Sequence, residues 1–311
     1  MSEQETAPLT EEEFFELIPE DNRPWIRQKL SGLGRFAVRR PLGFVGGVIV
    51  VIFLTIAVFS PWLVPFDPYK QSLGDRFLSP SWTHLVGTDY VGRDIASRLI
   101  YGARLSLFVG MGTVLLSGVA GTVMGIMWAY LGKTFDSFMS MMVTAGLALP
   151  DLVLLIIAAQ IARQAGVSEI IAIVVTLSFT RMWGVTRIYR SAALEVRSRP
   201  FVEAAESYGA NSVRVMAKHV LPNILPLIIV SSTLALPNAI LAEAGLSFLG
   251  FGPAGEPSWG QMFAGEAREY FRRQIWMLWA PGLTIGLTVM GFNFWGDAMR
   301  DLLDPRLRGT T

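Results

Sequence analysis

The sequence has no cysteine and only two histidines among its 311 residues. It therefore offers no disulfide framework, no thiol nucleophile and no cysteine or multi-histidine metal cage. Charged residues make up only 16% of the chain, against about 25% in a typical soluble domain. The 26 Lys+Arg nearly balance the 25 Asp+Glu, and this lack of a basic excess argues against a nucleic-acid partner.

Hydrophobic residues, by contrast, make up 52% of the chain, and its mean hydropathy is +0.45. A soluble domain of this size would leave large apolar patches exposed. Runs of about 20 apolar residues, enough to cross a bilayer as a helix, recur along the sequence. They predict an all-α integral membrane protein with six transmembrane helices, at about 42–65, 105–132, 137–162, 169–189, 222–244 and 274–297.

Two of these six segments are interrupted by charged residues away from their ends. The third is interrupted by Asp151, which follows Pro150 and could cap a helix that restarts after a kink. The fourth is apolar only over 170–180. It spans the membrane if Arg181 and Arg187 reach toward the interface or face protein, and otherwise it is a buried re-entrant segment.

Basic residues are distributed unevenly between the two sides of this topology. With the N-terminus inside, the cytosolic segments hold 17 Lys+Arg and the external ones hold 9. The bias predicts that both termini are cytosolic. Residues 1–40 then form an N-terminal tail, 41–300 the six-span domain and 301–311 a C-terminal tail. The N-terminal tail contains either a short interfacial helix or flexible chain.

Two glycine motifs resemble nucleotide sites by letter only. Residues 250–255 fit GxGxxG, but they follow a predicted membrane span, whereas a dinucleotide site follows a strand. Residues 132–134 resemble the end of a phosphate-binding loop, but Met127 stands where that loop needs glycine. The sequence predicts no ATP site in this chain.

Asp151 and Glu243 are carboxylates that lie within or near the end of a predicted span. Ionisable groups at membrane depth are candidates for a translocation path. The alternatives are a helix cap for Asp151 and a water-exposed helix end for Glu243. A self-sufficient secondary transporter would use these two residues for proton coupling. A membrane enzyme is a further alternative, for which the sequence favours no catalytic residue.

Residues 199–226 predict two short helices in a cytosolic loop, 190–221, between spans four and five. Pro200 suits a first helical turn, and Gly209 suits the position after a helix that needs positive φ. Ser212 is positioned to cap the second helix. A helix pair held between two spans is suited to contact with another protein, the alternative being a surface element without a partner.

This loop resembles the EAA loop of ABC importer permeases. It reads Glu203-Ala204-Ala205, three residues, Gly209, nine residues, one further position, Val220 and Leu221-Pro222. That further position is usually isoleucine in the pattern and is His219 here. KHVLPN is similar to the form in the peptide-transporter subfamily.

Three further segments resemble the same subfamily: HLVGTDYVGRDIASRLIYGARLSL at 84–107, AEAGLSFLGFG with PSWGQM in 242–262, and PGLTIGLTVMGFNFWGDAMRDLLDPRLRG at 281–309. Together the resemblance covers about 35–309. It is to the C-type permease subunit of dipeptide, oligopeptide and nickel ABC importers.

The resemblance implies a non-catalytic subunit that forms half of a pathway for di- or oligopeptides. Its implied partners are a second homologous permease, two subunits that bind ATP and Mg, and an external substrate-binding protein. The scaffold also serves nickel, glutathione-like and sugar substrates. The loop would supply a coupling helix for an ATPase, through Phe201, Glu203, Ala204, Ala205, Ser207, Tyr208, Gly209 and Ala210.

Two external loops, 66–104 and 246–273, complete the predicted topology. In the first, Thr88 or Asp89 is expected to cap a helix that runs to about Arg104. Its residues Asp89, Arg93 and Asp94 form either an outer gate or contact for the binding protein, or else a structural helix on the membrane surface. Trp82 and Trp259 are expected to be interfacial anchors.

Overall fold

A computed structural model describes residues 36–253, 255–270 and 272–303. Within those ranges the chain is helical and contains no strand, only an isolated bridge between Thr88 and Asp94. The expected N-terminal interfacial helix lies outside the described residues. The helices are α1 Pro41–Leu63, α2 Ile95–Tyr130, α3 Gly132–Ala148, α4 Asp151–Ala165, α5 Glu169–Arg197, α6 Pro200–Ser207, α7 Ser212–Val215, α8 Leu221–Phe248, α9 Trp259–Gln261, α10 Ala267–Tyr270 and α11 Trp276–Leu303.

Five helical segments in the described part of the chain are long and apolar enough to cross a membrane. They are α1, α2, α5, the continuous segment Ser212–Phe248 that contains α8, and α11. The fourth predicted span, which had the shortest apolar run in the sequence, is part of α5, a single helix of 29 residues. Helix α2 has 36 residues, or about 54 Å at 1.5 Å per residue, and begins ten residues before the predicted span.

The segment that departs from a simple span is the third. Helices α3 and α4 meet at an angle of 80°, so they form either one broken span or a re-entrant loop. The break falls where the sequence placed a kink. Pro150 has no backbone N–H and disfavours helical backbone at Leu149, which is extended. Asp151 is the first residue of α4 but makes no side-chain cap.

Small residues allow two helix pairs to approach closely. On α2, a Cβ added at Gly121 would lie 2.4 Å from Val185 Cγ2 of α5, and one at Gly125 would lie 2.8 Å from the Thr186 carbonyl. Small residues at such contacts are typical of helices packed within a membrane, where close backbone approach supplies van der Waals contact. Helices α1 and α11 pack in the same way, and Arg40 before α1 forms an ion pair with Asp301 of α11.

Trp259 belongs to the interior and not to the membrane interface. Its side chain is fully buried, its indole N–H donates to the Leu99 carbonyl at 2.9 Å, and it packs edge-on against Phe53. The interfacial role predicted for Trp259 is therefore wrong, because α9 folds back against α2. Trp82 is 98% exposed.

Candidate functional site

The EAA-like segment folds as the short helix α6. Arg199 is extended and Pro200 occupies the first turn, as its fixed φ favours. The helix ends at Gly209, whose φ is +84°. The Gly209 N–H donates to the Glu206 carbonyl, and the Ala210 N–H donates to the Ala205 carbonyl. This pair of bonds defines a Schellman motif, and the turn predicted at Gly209 is confirmed.

One face of α6 is anchored and the other is open. Val202 is 1% exposed and packs in a core with residues from α2, α5, α7 and α8, among them Val196, Val215 and Val220. Tyr208, in contrast, is 93% exposed. The exposed residues of the segment are Phe201, Glu203, Ala204, Glu206, Ser207, Tyr208 and Gly209, and Ala205 and Ala210 are half-buried. The helix therefore presents an apolar and acidic surface from a fixed position.

Helix α7 follows after a short turn. Its cap is Asn211, whose side-chain oxygen accepts from the Arg214 N–H at 2.9 Å. The prediction that Ser212 would cap it was wrong by one residue, because Asn211 takes the extended backbone that a cap requires. One π-helical turn, Met216–Val220, then leads into α8. His219 lies in this turn and packs against the Phe201 ring, with centroids 6.3 Å apart.

The C-terminal end of α5 ties α6 to the rest of the bundle. Arg197 donates to the Ala129 carbonyl of α2 at 2.7 Å, and its guanidinium lies 4.7 Å from the centre of the Tyr130 ring. Two turns earlier, the Tyr189 hydroxyl bonds to Ser231 Oγ of α8 at 2.7 Å. Only Ser198 and Arg199 separate α5 from α6. Helix α6 is thus joined to α5 by a two-residue linker, and these bonds join α5 to α2 and α8.

The two carboxylates singled out from the sequence lie in different environments. Asp151 is exposed and lines a cavity of about 350 Å³ between α2, α3, α4, α5 and α8. Glu243 is 1% exposed. It accepts hydrogen bonds from Ser247 at 2.9 Å and from Ser258 at 2.7 Å, which join α8 to the loop before α9. The alternative of a water-exposed Glu243 is thus wrong, since α9 covers it.

Arg181 is the charged residue of this cavity that the sequence did not single out. Sequence reasoning noted it only as a charge that the fourth span had to accommodate. Its side chain is half-buried and faces protein, and its Nη2 lies 3.4 Å from the Ser231 carbonyl. Arg187, two turns further along α5, is exposed.

The GTDYVGRD segment, residues 87–94, is a compact loop held together by internal hydrogen bonds, which we call the knot. The Asp89 carboxylate, 1% exposed, accepts from Arg93 Nε and Arg98 Nη1, each at 2.6 Å, and from the backbone N–H groups of Val91 and Arg93. A Cβ at Gly92, where φ is +80°, would lie 1.8 Å from the Ser72 carbonyl oxygen. Only glycine fits this turn.

Asp94 starts α2. Its carboxylate accepts from the Ser97 N–H at 2.7 Å and lies 2.9 Å from His84 Nδ1. The predicted helix start at Thr88 or Asp89 was therefore wrong, because both residues are used within the knot. Asp89 and Asp94 are buried within the chain itself, so their carboxylates hold the loop together, while Trp82 and Leu85 project from it.

A further contact joins the loop after α1 to the loop before α9. The Tyr69 hydroxyl donates to Glu256 at 2.7 Å, and its ring packs edge-on against Tyr101. Burial, together with the hydrogen bond to the Glu256 carboxylate, raises the pKa of the Tyr69 hydroxyl. The hydroxyl therefore remains a proton donor throughout the physiological range.

Within residues 36–253, 255–270 and 272–303, no group of three or more His, Asp or Glu side chains could hold a metal ion. The described polar groups instead hold helix ends and loops or line cavities, such as the one beside Asp151.

Comparison with known proteins identifies the family. The sequence profile of the binding-protein-dependent transport system inner membrane component matches residues 121–309, and that of the N-terminal TM domain of oligopeptide transport permease C matches 35–80. The di/tripeptide transport system permease protein DppC of Pseudomonas aeruginosa is 36% identical, covering 86% of this chain and 89% of that protein. The dipeptide transport system permease protein DppC of Alkalihalophilus pseudofirmus is 35% identical, covering 99% and 100%.

The probable D,D-dipeptide transport system permease protein DdpC of Escherichia coli is 38% identical, covering 86% of this chain and 89% of that protein. Among solved structures, a chain of the MetNI methionine ABC transporter in an inward-facing form aligns with a TM-score of 0.50 and 18% identity, covering 68% of this chain and 98% of that one. This last likeness concerns the fold. The chain is therefore a multi-pass membrane protein that belongs to the binding-protein-dependent transport system inner membrane component family.

Proposed function

We propose that this chain is the transmembrane permease subunit of an ATP-driven importer and forms half of the pathway for di- or oligopeptides. Relatives that align over most of their length are named as dipeptide or di/tripeptide permeases. The chain supplies no chemistry of its own. ATP and Mg are bound by two partner ATPase subunits, a second permease completes the pathway, and an external binding protein delivers the peptide.

The proposed topology has six spans with both termini in the cytosol. The broken pair α3 and α4 counts as one of them. The ion pair between Arg40 and Asp301 supports it, since the start of α1 and the end of α11 must then lie on one side. The excess of Lys+Arg on that same side agrees with the orientation. The six-span domain thus covers 41–300, flanked by two cytosolic tails.

The single observation that carries the proposal is the construction of α6. An isolated eight-residue helix is marginal in water, yet this one is capped by a Schellman motif and anchored by Val202. It also exposes aromatic residues, among them Tyr208. Such a surface suits insertion into a groove of an ATPase. Residues 201, 203–205 and 207–210 form this proposed coupling surface.

Coupling then follows from the contacts of α5. Closure of the ATPases around ATP would shift α6, and α5 would move with it because the linker has only two residues. The contacts of Arg197 and Tyr189 would transmit the shift to α2 and α8. ATP binding favours one of two global arrangements by differential affinity, as alternating access requires.

The external knot has a positioning role in this proposal. The bonds to Asp89 and Asp94 fix the loop, and the exposed Trp82 and Leu85 offer contact to a delivering protein or to the membrane surface. Arg93, Asp89 and Asp94 would thus stabilise the outer gate indirectly.

The test is purification of the tagged chain from its own membranes, followed by reconstitution. We expect a second permease and ATPases to accompany it, and we expect dipeptide uptake into vesicles only with ATP and the loaded binding protein. A chain that purifies alone and takes up dipeptide on a pH gradient would overturn the proposal. It would favour a secondary transporter instead.

A further inference from the structure

The cavity beside Asp151 carries polar and charged side chains between helices that span the membrane in the proposed topology. Its polar lining residues are Thr113, Asp151, Thr180, Arg181 and Asn238, contributed by α2, α4, α5 and α8. Its volume, about 350 Å³, falls within the range of small-ligand sites, about 300–1,000 Å³. Asp151 is exposed on the surface of the chain, so the cavity is open on that side.

In the proposed topology, Arg181 lies near the middle of the fourth span, 169–189. It is twelve residues into α5 after Glu169, or about 18 Å along the helix at 1.5 Å per residue. A hydrocarbon core is about 30 Å thick, so with the span beginning at Glu169 this position lies away from both interfaces. A cationic side chain at this depth is costly and requires compensation from a partner, water or a ligand.

The described part of the chain gives Arg181 little compensation. Its hydrogen bond is to the Ser231 carbonyl at 3.4 Å, and neither it nor Asp151 forms a salt bridge with any described residue. In the same cavity, the hydroxyl of Thr113 is buried without a hydrogen-bond partner among these residues. The cavity therefore contains the charged side chains of Arg181 and Asp151 and the hydroxyl of Thr113, and no salt bridge or hydrogen bond joins these three groups to one another.

We infer that this cavity binds the two charged ends of a short peptide during its passage, with Arg181 on the carboxylate and Asp151 on the ammonium group. The inference rests on the proposed function and assigns substrate contacts within it. Guanidinium and carboxylate match in geometry and charge. Two extended residues span about 7 Å. Arg181 and Asp151 line the same cavity but form no salt bridge with each other, so their charged atoms are more than 4.0 Å apart and each is left to a ligand.

The experiment uses the reconstituted complex with the binding protein and the dipeptide alanyl-alanine as the probe. Uptake and ATP hydrolysis are measured in the same vesicles for Arg181→Gln, Asp151→Asn and Arg181→Lys. Arg187→Gln is the matched control, since it removes an exposed arginine from the same helix. Thermal unfolding of each purified complex shows whether the fold is retained.

We expect Arg181→Gln and Asp151→Asn to lower uptake at least tenfold, while hydrolysis stimulated by the loaded binding protein stays within twofold of wild type. Arg181→Lys should recover part of the uptake, because it retains the charge. Wild-type uptake in both neutral variants, or an equal loss of uptake and hydrolysis with a lower unfolding temperature, would overturn the inference. Absence of ATP-dependent uptake in the wild-type complex would overturn the proposed function itself.

Discussion

Replacement of Gly209 by valine tests the helix end that positions α6. At φ +84° an L-residue costs on the order of 1–3 kcal/mol, and a β-branched one lies toward the upper end. The cost is conformational, because an added Cβ would meet no atom within 4 Å. Burial of Val202 contributes about 1.6 kcal/mol beyond alanine, at about 0.8 kcal/mol for each of two carbons. The conformational strain of valine at position 209 is therefore comparable to the free energy of burying Val202, which holds α6 in place.

We expect Gly209→Val to insert into the membrane at the wild-type level but to lose its ATPases during purification. A shift of about 2 kcal/mol changes the population of the docked helix about 30-fold. The assay is the ratio of ATPase to permease after gentle affinity purification, together with ATP-dependent peptide uptake. Gly209→Asn is the control, because asparagine tolerates this backbone conformation. Wild-type assembly and uptake by the valine variant would refute the reasoning.

Three further changes test separate parts of the account. Val202→Ala should weaken ATPase retention by about 1.6 kcal/mol plus a cavity cost, with the membrane level of the chain as control. Asp89→Asn should lower the unfolding temperature of the chain in detergent, because it removes the anion from a buried pair whose disruption typically costs 3–5 kcal/mol; an unchanged temperature would contradict the role of the knot. Gly125→Val should disrupt the packing of α2 on α5 and reduce folded yield, whereas Gly245→Ala, where an added Cβ meets nothing within 4 Å, should not.

Features set by local backbone chemistry could be predicted from the sequence. Pro200 and Gly209 marked the two ends of α6, because one fixes φ and the other accommodates positive φ. Apolar runs located the long helices, since a bilayer requires about 20 apolar residues of any sequence. Pro150 marked the break between α3 and α4, although its 80° angle depends on packing that the pattern does not contain.

Features set by distant partners could not be predicted. Trp259 reads as an interfacial anchor until α9 is known to pack on α2. The sequence indicated Thr88 or Asp89 as the cap, whereas the structure uses Asp94, because Asp89 binds Arg93 and Arg98. Arg181 shares a cavity with Asp151 because five helices pack together there, and the sequence pattern does not contain that packing. The sequence indicated Arg181 only as a charge within the fourth predicted span. A span without it would be limited to the apolar run 170–180, which is too short to cross a bilayer.

Contact between α6 and an ATPase is the central claim, and a single introduced thiol tests it most directly. The chain has no cysteine, so Tyr208→Cys creates a unique site on the exposed face of α6 and Trp82→Cys creates one on the external loop. Each is coupled to a short photo-crosslinker in the purified complex and its products are identified by mass spectrometry. The account predicts that position 208 crosslinks to an ATPase subunit and that position 82 does not. Crosslinking of the ATPase from position 82, or its failure from position 208 in a complex that retains the ATPase, would contradict it.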